Sequence, residues 1–455
     1  MTSRERLEKA LNHVQPDRPP IDLGATAVTG AHVSVVQQLR QRLGLSGTAR
    51  VHEPYQMLGQ IDADLRSALG VDCVGLGMTR TLLGWKNEGW KPWVTFDGTP
   101  CQVPAAFNTR VEADGRLLQW PDGDRCAPAC AVMPAGGFFH DTIIRQPPID
   151  DAALRVEDNL EEFGPVADED LEHLRRTAEE LYRNTDLGIV GTFGGTAFGD
   201  IALVPAPFLK NPKGIRDITE WYISTVARRD HVYDIFSRQC EIALKNLELI
   251  RQAVGDTVAA VFLTGTDFGT QNGPFISRDA YRDLFQPFHK RVNEWVHGHT
   301  RWKCFIHSCG AVEPLIPDFI DSGFDILNPV QCSAAGMDAA LLKRKYGGKL
   351  VFWGGAVDTQ NTLPFGSPDA VAAEVRERIR IFGEGGGFVF NAVHNIQCKT
   401  PVENVLAMFG AARNGRTGRL GDGGRGETAN RQDAGGRRRG RYGEGPPDSR
   451  ASPDR

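Results

Sequence analysis

The chain has 455 residues, 41% hydrophobic and 24% charged, which is enough apolar material for a large core. No stretch of about 18 apolar residues is present, so a helical membrane span is not expected, and the charged opening MTSRERLEKALNHVQPDRPP does not read as a signal peptide. The net charge of −5 is uneven: residues 413–455 carry eleven Arg against six Asp or Glu, a surplus of five, so the body before them carries −10 and nucleic acid is not expected as a main partner. Nine cysteines, odd in number and irregularly spaced, do not form a disulfide pattern and point to a reducing, cytoplasmic setting.

Two short apolar runs, Pro20-Ile21-Asp22-Leu23 and Val71-Asp72-Cys73-Val74-Gly75-Leu76, fit strands near the start. Residues 85–165 break the pattern. Trp93 to Thr99 and Thr109 to Trp120 look like hairpin material with Asp-Gly turns, so this stretch is expected to be a β-rich insertion or lid after the second strand. From residue 187 onward, apolar runs alternate with helical stretches. The runs are 187–193, 258–264, 303–306, 324–327, 350–353 and 387–390, and the helices fall near 216–252, 277–298, 311–322, 338–346, 368–382 and 401–412. Ser277, Ser367-Pro368 and Thr400-Pro401 look like helix starts, with Pro at the first helical position in the last two. Continuous rather than alternating apolar runs suit strands covered on both faces. Eight strands, nearly all followed by helices, predict an α/β protein whose residues 1–412 form a (β/α)8 TIM-type barrel. A doubly wound open sheet is the alternative that periodicity leaves open. The Gly/Arg-rich stretch 413–455 has no periodicity and is expected to be a disordered C-terminal tail.

The most informative motif is Cys304-Phe305-Ile306-His307-Ser308-Cys309-Gly310. Residues i and i+2 of an extended segment project to one side, so an imidazole and a thiolate can reach one ion. A catalytic zinc needs three N, S or O ligands and keeps one position open. In a (β/α)8 barrel the active site lies at the C-terminal strand ends, and polar candidates gather there: Asp267, Gln271 and Asn272 after the fourth strand, Asn328 to Cys332 after the sixth, Asp358 after the seventh, and Asn391 to Asn395 after the eighth. Asp267 and His307 are the candidate catalytic residues. Gln271, Asn272, Gln331, Asp358 and Asn391 are the candidate substrate or cofactor contacts. The plainer roles are a loop-turning carboxylate for Asp267, inert core for Cys332, and a simple turn for Gly383-Glu384-Gly385-Gly386-Gly387. Cys126 and Cys130 resemble half of a metal site that has no second half.

The chain resembles the uroporphyrinogen decarboxylase superfamily over roughly residues 1–412. The likeness rests on Ser3-Arg4-Glu5-Arg6 to Pro16-Asp17-Arg18-Pro19-Pro20, on Gly269 to Ser277 followed by Tyr281, on His307-Ser308-Cys309-Gly310, and on Thr400-Pro401-x-Glu403-Asn404. Within it, the chain looks most like the cobamide-dependent methyltransferase branch. That resemblance implies a zinc ion held by His307, Cys309 and a third ligand, which falls at His394 where the branch has cysteine; Cys398 lies closer to the following helix. It also implies transfer of a methyl group between a small methyl ether or thiol and a corrinoid. No Asp-x-His-x-x-Gly motif is present, so the corrinoid is expected on a separate protein. True uroporphyrinogen decarboxylases carry an arginine-rich segment that grips the substrate's carboxylates. The equivalent stretch here, Ile21 to Gly30, has no arginine. Two alternatives stay open: a metal-free lyase using Asp267 or Asp72 as a charge partner, and a non-catalytic binder of a corrinoid or tetrapyrrole.

Overall fold

In the computed structural model the described residues are 1–415, so the tail expected over 413–455 lies outside them from residue 416 onward. Seven parallel strands form one curled sheet in chain order: Cys73–Gly77, Gly188–Thr192, Ala260–Thr264, Lys303–His307, Ile326–Asn328, Val351–Trp353 and Phe388–Val389. Sequential neighbours with helical crossovers are the TIM-type arrangement, and an open doubly wound sheet would reverse its strand order. The expected first strand, 20–23, is reduced to a single parallel bridge between Ile21 and Phe390. It still joins the two edges: Phe390 N donates to Pro20 O at 2.8 Å, Asp22 N to Phe390 O at 2.9 Å and Asp72 N to Ile21 O at 2.7 Å. The segment is short for local reasons. Pro19 and Pro20 have no N–H to add to a ladder, the Ile21 N–H goes to the Asp72 carboxylate at 2.7 Å, and Gly24 turns away at φ +80°.

Side chains sort by strand alternation into two layers. Cys73, Val190, Ala260, Phe305, Ile326, Val351, Trp353 and Val389 fill the barrel interior. Cys304, Ile306, Leu327 and Phe352 belong to the larger core between sheet and helices. This alternation places His307 two residues past Phe305, on the inward face and at the C-terminal end of its strand.

The opposite end is plugged by the helix Ser3–Leu11. Its Thr2/Glu5 capping box fixes the start, and Leu7, Ala10 and Leu11 join the interior layer. Asp72 sits at this floor, 1% exposed, accepting from Arg6, Arg18, Ser3 and the Ile21 N–H. The charge-partner role considered for Asp72 is therefore corrected. Its oxygens are spent on a staple at the end of the barrel remote from the strand-end loops.

Two long helices expected from the pattern are each divided. The first breaks at Arg228 into Ile218–Ala227 and Arg229–Val254, and the second at Phe285, before Pro287, into Arg278–Leu284 and Gln286–His299. Ser277 and Ser367 cap as expected, accepting from Ala280 N at 3.1 Å and Ala370 N at 3.2 Å. Pro401 is the N-cap of Val402–Asn414, not its first helical residue. The insertion holds the hairpin Lys91–Val94/Pro100–Val103 and a four-stranded antiparallel sheet, Arg110–Val111, Leu117–Gln119, Ala131–Met133 and Asp141–Thr142. Its Trp85, Phe107, Leu117 and Met133 pack into the main core. No helix among the described residues is long and apolar enough to cross a membrane.

Candidate active site

His307, Cys309 and His394 converge at the C-terminal end of the barrel, with one ligand atom from each lying within 4.8 Å of the others. His307 is buried and its ring is fixed from behind. Its Nδ1 pairs with Asn328 Oδ1 at 2.6 Å, while Asn328 Nδ2 donates to Trp353 O at 2.8 Å. Because the amide nitrogen is committed to a carbonyl, Oδ1 must accept, and the proton belongs on Nδ1. That leaves Nε2 as a lone pair, 3.3 Å from Cys309 Sγ. Such outer-shell orientation is what metal-binding imidazoles have. The His307 and His394 rings meet edge to face at 5.3 Å between centroids.

The loop carrying Cys309 is held by its neighbours. Cys309 N donates to Asp267 Oδ1 at 2.6 Å, Gly310 N to Gln331 Oε1 at 3.1 Å, and Phe268 N to Ser308 Oγ at 2.9 Å. Gly310 is required here. Its φ is +86°, and a Cβ would lie 2.6 Å from the Gly269 backbone. The ionisation of the three groups follows from burial. Burial lowers His307 and raises the Cys309 thiol, an effect that Asp267 reinforces. Burial, then His307, depresses His394 to about 3. Two neutral imidazoles and one thiol beside a carboxylate are a donor set suited to a divalent cation, which would displace the thiol proton. Three protein donors, two of which, His307 and His394, border open space, match a catalytic zinc site.

The space they face is a cavity of about 1370 Å³, walled by strand-end loops and by Phe139 to Thr142 of the insertion. His307, His394 and Asp267 line it, and Asp267 Oδ1 is 4.0 Å from His307 Nε2. The other expected contacts are not brought to it. Gln331 Nε2 donates to Gln271 Oε1 at 2.9 Å, a brace behind the Cys309 loop. Asn272 is in an exposed turn anchored on Thr270. Asp358 closes its own turn by accepting from Gln360 N and Asn361 Nδ2. Asn391 Nδ2 donates to Asp22 O and Thr29 O, tying the eighth strand end to the opening segment. All four braces are consistent with strand-end position, which says which rim a residue shares but not which way it points. Cys332 and Cys398 are outside the three-residue cluster, and Cys126 is exposed while Cys130 is buried, so the two do not share an environment.

Sequence reasoning missed several residues of the cavity wall. Asn328 was in view as a strand-end residue but had no role. Asp200, on the loop after Gly188–Thr192, is raised to about 6 by burial and then by Asp267. Glu53 is raised to about 7 by burial, opposed by hydrogen bonds from Gln56 N and Tyr55 N. Five carboxylates, Glu53, Asp141, Asp200, Asp217 and Asp267, line the cavity against two arginines, Arg66 and Arg80.

Residues 216–415, which carry Asp267, His307, Cys309 and His394, match the uroporphyrinogen decarboxylase (URO-D) family model. Through this segment, under half of its length, the chain is similar to the uroporphyrinogen decarboxylase family. A uroporphyrinogen decarboxylase of Nitrosospira multiformis is 34% identical over 84 residues, 18% of this chain and 22% of that protein. One from Coxiella burnetii is 28% identical over 87 residues, 18% of this chain and 23% of the relative. The matches thus span under a quarter of the curated relatives' length. A methyltransferase from Methanosarcina mazei superposes with a TM-score of 0.52 over 91% of this chain and 98% of that one, at 16% identity. At that identity the superposition shows a shared fold alone.

Proposed function

We propose that this protein is a zinc-dependent methyltransferase that moves a methyl group between a small methyl ether or thiol and a corrinoid carried by a separate protein. The observation that carries the reading is the convergence of His307, Cys309 and His394 with the free Nε2 of His307 directed at the same point. Bound there, zinc supplies a Lewis acid that lowers the pKa of a thiol or polarises an ether oxygen.

The rest is done by the chain's own groups. Asn328 holds the His307 proton on Nδ1 and so keeps Nε2 available. Asp267 positions Cys309 by accepting from its backbone N–H, and its carboxylate lies 4.0 Å from His307 Nε2, beside the metal-binding point. Histidine in the third position leaves one thiolate among the ligands, a net charge near +1 on the centre, and a harder Lewis acid than two thiolates would leave. This favours an oxygen-bearing methyl donor over a plain thiol. The cavity exceeds the roughly 300–1,000 Å³ of a drug-sized site, room for a small substrate together with one face of a large ring.

The names of the matched relatives favour a second reading, a metal-free decarboxylase. The lining weighs against a polycarboxylate substrate, because its acidic groups outnumber the two arginines that could pair with one. The deciding experiment is metal content by mass spectrometry on the purified protein and on His307→Ala, followed by methyl transfer to a corrinoid protein. About one zinc per chain, lost in the variant together with transfer, is the expected result. Turnover retained in His307→Ala, or no metal taken up when zinc is supplied, would leave the decarboxylase reading.

A further inference from the structure

A second, smaller cavity of about 480 Å³ opens beside the first. The two share His52, Gln60, Gly75, Gly77, Met78 and Asn87 as common wall. Their linings differ. Where the main cavity has five carboxylates, the side cavity has Arg50 and His173 and no acidic residue, while His52, lowered to about 4 by burial and so neutral, walls both. The nearest acidic groups on the same helix are committed elsewhere: Asp170 accepts from Thr79 Oγ1 at 2.6 Å, and Glu169 pairs with Lys86.

Arg50, the cation of this lining, has few protein partners. Arg50 makes one side-chain hydrogen bond, Nε to Gln102 Oε1 at 3.3 Å, and its guanidinium lies over the Trp90 ring at 5.3 Å. Arg50 is exposed, and its two terminal nitrogens have no protein acceptor among the described residues, so its planar donor fork, held over the Trp90 ring, is open to an oxyanion. Asn87 fixes the passage between the cavities. Its Nδ2 donates to His52 O at 2.6 Å, and its Oδ1 is buried without a partner, an acceptor left for a donor on whatever fills the passage.

We propose that the side cavity is a subsite for a single oxyanion group, carboxylate or phosphate, at the far end of the molecule whose reactive end occupies the main cavity. Arg50 is its principal partner and His173, from the helix Asp168–Asn184, its second. The proposal deepens the functional reading by giving the substrate an anionic end, and it rests on the main cavity being the substrate site, not on the metal. One anionic group is all that it admits, which separates this substrate from a tetrapyrrole with many carboxylates.

The test is calorimetric binding to the full chain of 4-methoxybenzoate, 4-methoxyphenyl phosphate and the neutral 4-methoxybenzyl alcohol, repeated in Arg50→Gln, Arg50→Lys and His173→Gln. The expected result is that one of the anions binds about tenfold or more tighter than the alcohol, as a charge-assisted hydrogen bond provides. Which of the two it is distinguishes carboxylate from phosphate. Arg50→Gln should bring the ratio close to one without moving the alcohol's affinity, Arg50→Lys should restore part of it, and His173→Gln should reduce it. No preference in the parent protein, or a preference that survives Arg50→Gln in a chain with unchanged thermal unfolding, overturns the proposal. Running the same panel on His307→Ala separates the two ideas. Lost metal with retained anion preference sinks the methyltransferase reading alone, and retained metal with no preference sinks the subsite alone.

Discussion

Asn328 provides the most demanding check on the site. Its side chain is fully buried and makes two hydrogen bonds, Oδ1 with His307 Nδ1 at 2.6 Å and Nδ2 to Trp353 O at 2.8 Å. In Asn328→Ala both are lost, and a ring N–H and a carbonyl are left without partners in a dry interior. At about 1–3 kcal/mol for each orphaned buried group, a destabilisation of roughly 2–6 kcal/mol is expected. The effect on metal should be separable from this. Without its acceptor, His307 loses the preference for the Nδ1–H tautomer and the ring is free to turn. Loss of such an outer partner typically costs about 10–100-fold in metal affinity. Asn328→Asp keeps the acceptor, so it should hold zinc better than Asn328→Ala while still losing the bond to Trp353 O. The assays are zinc competition against a chromophoric chelator and urea unfolding of the metal-free protein. Zinc affinity in Asn328→Ala within about threefold of the parent would refute the reasoning, because His307 would then not depend on the partner that orients it.

Four further outcomes follow from the same geometry. His394→Cys, which restores a two-thiolate set, should retain one zinc per chain, whereas His394→Ala should lose it, both read by metal analysis. Asp72→Ala should destabilise the fold by about 3–5 kcal/mol in urea unfolding, because it strands Arg6 in the floor of the barrel, yet leave the zinc affinity of folded protein unchanged. His289, wholly buried and held near 3 by burial, binds no proton in the folded state as pH falls below the unfolded value of 6.5. Its stability contribution is thus complete above 6.5 and is lost toward 3 at about 1.4 kcal/mol per pH unit, so His289→Phe should flatten the acid limb of a stability profile between pH 6 and 4. Asp22, buried and raised to about 6 against an ordinary 3.8, acts in the opposite sense. Its contribution is present below about 4 and is lost as pH rises through 6, and Asp22→Asn should remove that slope in the same profile.

Much of the architecture is legible without coordinates. Buried parallel strands must be apolar on both faces, so runs such as 258–264 and 303–306 announce themselves. The β-rich insertion is visible from its Asp-Gly turns, and the inward direction of His307 and Cys309 follows from their i, i+2 spacing on a strand end. The acidic body and the donor types at His307, Cys309 and His394 are also read from the chain alone. Helix breaks at Arg228 and Phe285 were not visible, because apolar periodicity runs through both.

What the chain alone does not contain is direction around the rim. Gln271, Gln331, Asp358 and Asn391 share strand-end position with His307, yet their side chains serve as braces, since a loop's path depends on what it packs against. Conversely, Glu53 and His140 reach the cavity from an excursion and an insertion that no strand count places there. His394 and His307 are 87 positions apart in number, and only closure of the sheet through Ile21 and Phe390 brings their rings to 5.3 Å. Local composition and periodicity act over a few residues and so decide which elements form. The convergence of side chains on one point, and the different linings of two adjoining cavities, arise from contacts between distant segments and exist only once the barrel has closed.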